Sequence, residues 1–195
     1  GGYSAAFRCA ELGLETVVID ADGRLGGACL FEGCIPSKAL LHVAAVVSEA
    51  ERAREWGVDF GEPRISVDQL RKWKQERVVG KLARGLASVA KGKGVTVIGG
   101  RAVFEDSTTL RIEGESLQKV RFKHAIVATG SAPAPLPGIE LRSDRVMDST
   151  AALELPEIPE RLLVIGGGYI GLELGTVYAT LGSRVTLVEM TEGLL

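Results

Sequence analysis

Arg161-Leu-Leu-Val-Ile-Gly166-Gly-Gly168-Tyr-Ile-Gly171 decides the fold, because a buried-strand pattern runs straight into a G-x-G-x-x-G loop. A helix over residues 172–181 follows, Gly182 stops it, and the strand Arg184–Val188 ends at Glu189. Strand, glycine loop, helix, strand and acid form a complete dinucleotide fingerprint in its required context. In that reading Gly166 makes the tight turn and Gly168 lets the backbone approach a pyrophosphate. Gly171 lets helix and strand pack closely, and the helix N-terminus faces the phosphates. Glu189 accepts hydrogen bonds from a ribose 2′-hydroxyl. The plain alternatives are close packing without a ligand for the glycines, and a solvated strand end for Glu189.

The same spacing opens the chain. Gly171 to Glu189 is 18 residues, and so is Gly2 to Asp20. Leu12-Gly13 and Leu181-Gly182 fall in register within these spans, and Thr16-Val-Val-Ile19 matches Val185–Val188. Gly1 and Gly2 therefore read as the end of a first fingerprint, with Gly2 as its third glycine, rather than as a flexible terminus. Asp20 takes the place of Glu189. One such motif is weak, whereas two in register point to two dinucleotides. Met190-Thr191-Glu192 after Glu189 offers no arginine for a 2′-phosphate, which favours NAD over NADP at the second unit.

Between the units lies Cys29-Leu-Phe-Glu-Gly-Cys34-Ile-Pro-Ser-Lys38. In a straight helix, five residues hold two Cα atoms roughly 8–9 Å apart, beyond the ~7 Å a disulfide tolerates. The sulfurs meet only if the segment bends, and Gly33 permits that bend. Pro36-Ser37 reads as the first turn of a regular helix, which places the thiols where partial positive charge favours a thiolate. Lys38 adds a full charge. On the cysteines alone, a redox pair, half of a metal site and two incidental cysteines all stay open. Cys9, His42 and His124 lack metal-ligand spacing, so no metal is expected.

Ser37 to Trp56 reads as a helix with an apolar stripe at Leu40, Leu41, Ala44, Val47 and Ala50, stopped by Gly57. Ser66-Val-Asp-Gln69 resembles a capping box, and Leu70, Trp73, Leu82, Leu86 and Val89 mark a second long helix. Arg71, Lys72, Lys74, Glu76 and Arg77 read as its solvated face, Trp56 and Trp73 as packing anchors, and His42 and His124 as structural. A strand over 95–98 precedes a meander through Ala102–Phe104, Thr109–Ile112 and Val120–Phe122. A buried strand Ala125–Ala128 ends in Thr129-Gly130-Ser131. Residues 132–138 hold three prolines and read as a stiff connector, with a domain boundary between there and residue 150.

The chain has 195 residues, is 46% hydrophobic and 25% charged, and carries a net charge of −2, which is ordinary for a globular protein. Nothing is basic enough for nucleic acid, and no apolar run reads as a membrane span. Three cysteines do not make a secreted disulfide scaffold, so a reducing, cytoplasmic setting is expected. The chain starts inside a motif and stops just after a strand, and it reads as a fragment.

Taken in order, the truncated unit, the C-x4-C-x-P-S-K segment, the Ala128-Thr-Gly-Ser131 strand end and the second unit resemble the flavin-dependent pyridine nucleotide-disulfide oxidoreductases. Gly26-Gly27-Ala-Cys29 through Leu41, Gly166 through Tyr178 and Asp148 through Leu155 carry the likeness, closest to the branch that oxidises dihydrolipoamide with NAD. The resemblance implies an α/β fold of tandem Rossmann-like domains with an antiparallel β meander. Residues 1–145 would be an FAD-binding domain with a redox disulfide, lacking its first strand, and 146–195 the start of an NAD-binding domain.

It further implies that Cys29 is the interchange thiol, that Cys34 is the thiol beside the flavin, and that Lys38 pairs with Glu173 near the flavin. Asp20 stands on the FAD ribose where the family usually has Glu, and Ala102, Thr129, Gly130, Ser131, Gly26 and Gly27 contact the flavin nucleotide. Dihydrolipoamide on the lipoyl domain of 2-oxo acid dehydrogenase complexes would be the partner, and the full-length form a homodimer. The family's His-Glu base lies in a further domain, so neither His42 nor His124 fills that role. An NADPH-dependent glutathione or mercuric reductase and a non-catalytic redox-sensing module are the alternatives. The 195 residues alone are expected to bind FAD poorly and to be inactive.

Overall fold

The computed structural model describes residues 1–114, 118–136, 138 and 143–195. In chain order these form α1 (Gly2–Glu11), β1 (Val17–Asp20), α2 (Gly27–Glu32), α3 (Cys34–Arg52), α4 (Val67–Trp73) and α5 (Gly80–Gly92). Then follow β2 (Thr96–Gly99), β3 (Arg101–Phe104), β4 (Thr109–Glu113), β5 (Gln118–Arg121), α6 (Ser149–Leu153), β6 (Arg161–Ile165), α7 (Tyr169–Thr180) and β7 (Arg184–Val188). The fold is α/β. It divides into two compact units, Gly1–Ala28 with Lys81–Ala132, and Cys29–Gly80 with Pro133–Leu195.

In the first unit β1 and β2 run parallel, from Val17 opposite Thr96 to Asp20 opposite Gly99. Ala6 and Phe7 of α1, Leu86 and Ala90 of α5, Val18, Val95 and Val97 make its core. Strands β3, β4 and β5 form a separate antiparallel sheet in that order. The strand expected at Ala125–Ala128 is absent: residues 123–136 make no ladder, and Ile126 and Val127 are 65% and 69% exposed. An apolar, β-branched run becomes a strand only beside a partner, and among the described residues it has none. Pro137 of the connector and residues 139–142 of the expected boundary lie outside the described residues.

In the second unit β6 and β7 pair in parallel from Arg161 opposite Arg184 to Ile165 opposite Val188. Both strands alternate, and Leu162 and Val185 turn toward the core on which α7 packs. That core joins Leu40 of α3, Leu70 of α4, Leu153 and Leu155 around α6, and Leu174, Val177, Tyr178 and Leu181 of α7. Helix ends follow the sequence closely. Ser66 accepts a hydrogen bond from the Gln69 amide at 3.4 Å, and Asp148 accepts one from the Ala151 amide at 2.8 Å. Gly57 ends the first long helix in a left-handed conformation, with φ of +85°.

Contrary to the expectation that no apolar run is long enough for a membrane span, residues 27–56 are so by length and composition. The helix is broken at Gly33, however, and its inner stripe of Leu40 and Ala44 is buried, with α3 packed on α7.

The second long helix differs from expectation in one instructive way. A π-helical segment, Lys74–Val79, joins α4 to α5. Its inward positions are Leu70, Lys74, Val79, Leu86 and Ala90, at spacings of four, five, seven and four. The five-residue step is the widened turn, and it rotates the buried face away from the 3.6-residue period. Lys74, four residues beyond Leu70 on the same face, is 1% exposed, not solvated, while Leu82 and Val89, past the widened turn, are half exposed. Trp56 and Trp73 are not anchors: they are 67% and 36% exposed, Trp56 closing the turn after α3 and Trp73 lying one residue off the buried face. His42 is exposed, as is His124.

Candidate functional site

The thiol segment bends where glycine allows it. Helix α2 ends at Glu32, the backbone breaks at Gly33 with φ of −149° and ψ of −114°, and Cys34 is the first residue of α3. The first turn of α3 is fixed tightly. The Ser37 amide donates to the Gly33 carbonyl at 3.0 Å, and the buried Ser37 hydroxyl donates to the Cys34 carbonyl at 3.2 Å. Pro36 is buried as the third residue of the helix.

Cys29 and Cys34 are both free and exposed, and they hydrogen-bond to each other. That contact pushes the Cys29 thiol above its ordinary value, and partial burial adds to the rise. Lys38 pulls the other way, but more weakly. The depressed thiol expected near a helix N-terminus is therefore not what Cys29 shows. The hydrogen bond with Cys34 outweighs the nearby positive charge of Lys38.

Lys38 stands one turn into α3 and reaches α7. Its Nζ donates to both carboxylate oxygens of Glu173, at 2.7 and 2.9 Å. Glu173 raises the Lys38 pKa first, and Cys34 and Cys29 raise it further. The lysine is 55% exposed, so the pair contributes at most about 1 kcal/mol to stability. Its effect is positional: it holds one cation beside two thiols.

The fingerprint loop has the shape that each glycine requires. Gly166 has φ of +109°, a turn conformation that side chains resist. A Cβ on Gly171 would overlap the Gly166 carbonyl oxygen and lie 3.2 Å from the Val164 side chain. Gly168, the N-cap of α7, faces open space within 4 Å. These backbone amides at the head of a 12-residue helix suit a pyrophosphate. Glu189 lies at the end of β7. Its Oε2 accepts from the Gly167 amide at 2.6 Å, and its Oε1 accepts from the Met190 and Thr191 amides and the Thr191 hydroxyl. A carboxylate oxygen with one partner retains capacity for a ribose hydroxyl.

Those amides hold the Glu189 pKa at about 2, the Thr191 and Gly167 bonds being the largest causes. A depressed folded pKa stabilises above the unfolded value of 4.5, and the contribution fades as pH falls toward 2. Glu189→Gln is expected to flatten the acid limb of stability, seen as denaturant midpoints between about pH 6 and about pH 3. Equal slopes for both proteins would contradict this.

The first unit carries the other residues expected at a nucleotide site. Gly2 begins α1 against Ala128, whose Cβ lies 3.4 Å from where a Gly2 Cβ would stand. Gly1 is the N-cap. Asp20 ends β1, and its Oδ1 accepts from the Asp22 and Arg24 amides at 3.0 and 3.3 Å. Gly26 and Gly27 have φ of +146° and +64° in the turn into α2. Ala102 is exposed on β3, and Thr129, Gly130 and Ser131 are exposed outside any strand. Within the second unit the structure thus brings Cys29, Cys34, Lys38 and Glu173 together, and separately Gly166, Gly168, Gly171 and Glu189. Among the described residues no three His, Cys, Asp or Glu side chains cluster as metal ligands.

A family model described as pyridine nucleotide-disulphide oxidoreductase matches residues 1–195. Curated relatives named dihydrolipoyl dehydrogenase are similar throughout: that of Haemophilus influenzae is 56% identical over 97% of this chain, and that of Vibrio parahaemolyticus 54% over 97%. The chain spans 40% of the length of each. Among solved structures, LpdA of Mycobacterium tuberculosis superposes with a TM-score of 0.87 at 27% identity, covering 99% of this chain and 43% of that one. The HOCl-induced flavoprotein disulfide reductase RclA of Escherichia coli, as a Cu(II) complex of a mutant, gives 0.80 at 30% identity, covering 100% and 41%.

Proposed function

Because the chain belongs to the pyridine nucleotide-disulphide oxidoreductase family, we propose that it carries the redox centre and nucleotide loops of a dihydrolipoyl dehydrogenase. The full-length enzyme oxidises dihydrolipoamide to lipoamide and reduces NAD. The observation that carries this reading is the Cys29–Cys34 contact at the Gly33 bend, with the Lys38–Glu173 pair beside it.

In the exchange half-reaction, a dihydrolipoamide thiolate attacks Cys29 of a Cys29–Cys34 disulfide. The Cys29–Cys34 bond breaks, Cys34 leaves as a thiolate, and a mixed disulfide forms on Cys29. The second substrate thiol displaces Cys29, releasing lipoamide with its own disulfide closed. Two electrons then reside on the protein's pair. Lys38, anchored by Glu173, supplies positive charge beside the thiolate. FAD, held beside Cys34, would supply the two-electron acceptor that restores the Cys29–Cys34 disulfide, with NAD as the final acceptor.

Gly1, Gly2 and Asp20 would hold the flavin nucleotide, with Gly26, Gly27, Ala102 and Thr129–Ser131. Gly166, Gly168, Gly171 and Glu189 would hold NAD. The architecture in this reading is a pair of Rossmann-like domains, 1–145 for FAD with the meander and 146–195 opening the NAD domain. The assembled enzyme is a cytoplasmic homodimer that serves lipoyl domains of 2-oxo acid dehydrogenase complexes.

Steady-state assays of the full-length protein test the reading. Dihydrolipoamide oxidation with NAD is expected at least about a hundredfold faster than NADPH-driven reduction of glutathione disulfide or mercuric ion. The reverse preference would point to a reductase. No turnover with either would leave a redox-sensing module.

A further inference from the structure

Three irregularities meet at one point in the second unit. The π-helical turn begins at Lys74, Lys74 is the one of the five charges between Arg71 and Arg77 drawn fully inside, and Leu155 is fully buried with φ of +49°. A bulky residue in the left-handed region persists only where its surroundings over-determine it. Those surroundings are the C-terminus of α6. Lys74 Nζ donates to the Leu153 carbonyl and lies 3.5 Å from a Glu154 carboxylate oxygen. One residue earlier, the Ala152 carbonyl accepts from the Tyr178 hydroxyl of α7 at 2.9 Å, and from the Leu155 amide at 3.2 Å. Two carbonyls at this helix end are thus engaged by side chains from two other elements.

A buried ammonium and a buried phenol on adjacent carbonyls are costly to place for a five-residue helix alone. Their effect is to tie three elements together. The π segment packs on α3, α6 packs on α7, and α7 packs back on α3. Tyr178 lies five residues along α7 from Glu173, and Glu173 grips Lys38 on α3 beside the thiols. The ring of contacts closes on the redox pair.

We infer that Lys74 is a positioning residue: through the end of α6 and Tyr178 it fixes where α7 holds Glu173, and so where Lys38 stands relative to Cys29 and Cys34. Lys74 contacts the end of α6 and neither thiol. The inference deepens the redox reading above and needs Cys29 and Cys34 to be a working dithiol, but not the identity of the substrate.

The test is a mutant cycle on the reduced full-length holoenzyme, read as the pH-dependent rate of thiol alkylation by iodoacetamide, with no turnover assay. Glu173→Gln is expected to change the alkylation rate at neutral pH by about threefold or more in the wild-type background. In a Lys74→Met background the same substitution should change it by less than about 1.5-fold, because Glu173 is no longer held in place. If Lys74→Met gives no folded enzyme, Tyr178→Phe, which removes one hydroxyl, serves as the background with the same expectation. A merely structural lysine would lower the melting temperature and leave the Glu173→Gln effect unchanged. An equal effect in both backgrounds, including no effect in either, overturns the inference. Loss of dihydrolipoamide activity alone would count only against the substrate assignment.

Discussion

Cys29→Ser in the full-length enzyme is expected to abolish dihydrolipoamide oxidation, with kcat/KM reduced by about a thousandfold or more. The argument rests on electron count before rate. The exchange half-reaction needs a sulfur that can form a mixed disulfide and a second sulfur to receive the displaced electrons, and serine oxygen does neither. Cys34→Ser should be as severe for turnover. The two differ spectroscopically: the reduced wild type is expected to show a long-wavelength thiolate–flavin band, which Cys29→Ser retains and Cys34→Ser loses. Residual activity within tenfold of wild type in either variant would remove the pair from the mechanism. A band retained in Cys34→Ser would exchange the roles of the two thiols. The Cys34 hydrogen bond that raises the Cys29 pKa bears on the same experiment. With Cys34 gone, Cys29 loses its hydrogen-bond partner, and the leading cause that raises its pKa goes with it.

Local rules made much of this molecule legible. The strands Arg161–Ile165 and Arg184–Val188 form over the ranges read from apolar pattern, and Gly13, Gly57 and Gly182 all take positive φ where helices stop. The break at Gly33 falls where the spacing demands a bend if Cys29 and Cys34 are to meet. The Lys38–Glu173 contact spans 135 positions and had no local signal, so only the resemblance anticipated it.

What escaped was whatever depends on partners or on altered periodicity. Ala125–Ala128 has strand composition but no neighbour to pair with among the described residues. Lys74 resembles its charged neighbours in sequence although it shares the buried face of Leu70, and the π turn after it shifts that face on to Val79. The trace of that turn was present as a five-residue gap between Leu70-Lys74 and Val79. A reading committed to one period passes over it. Glu189 was placed correctly at its strand end, but its engagement by the Gly167 amide depends on the loop closing back over β7.

The second large effect separates two glycines that a motif treats alike. Gly171→Ala is expected to destabilise the full-length protein by about 2 kcal/mol or more, because its Cβ would overlap the Gly166 carbonyl oxygen and crowd Val164. Backbone on both sides of the overlap leaves no flexible side chain to give way. The loop must move, so NAD affinity should fall along with the unfolding midpoint. Gly168→Ala meets nothing within 4 Å, and its φ of −72° suits alanine. Its stability should change by less than about 0.5 kcal/mol, while its methyl group occupies the space a pyrophosphate would approach. NAD affinity should then fall by about tenfold or more with the unfolding midpoint unchanged. Denaturant unfolding and NAD titration, run on both variants, give four numbers. Only a phosphate-binding loop produces loss of both properties in one variant and loss of affinity alone in the other. If Gly168→Ala bound NAD as tightly as the wild type, the loop at 166–171 would be packing architecture and the second nucleotide would lie elsewhere.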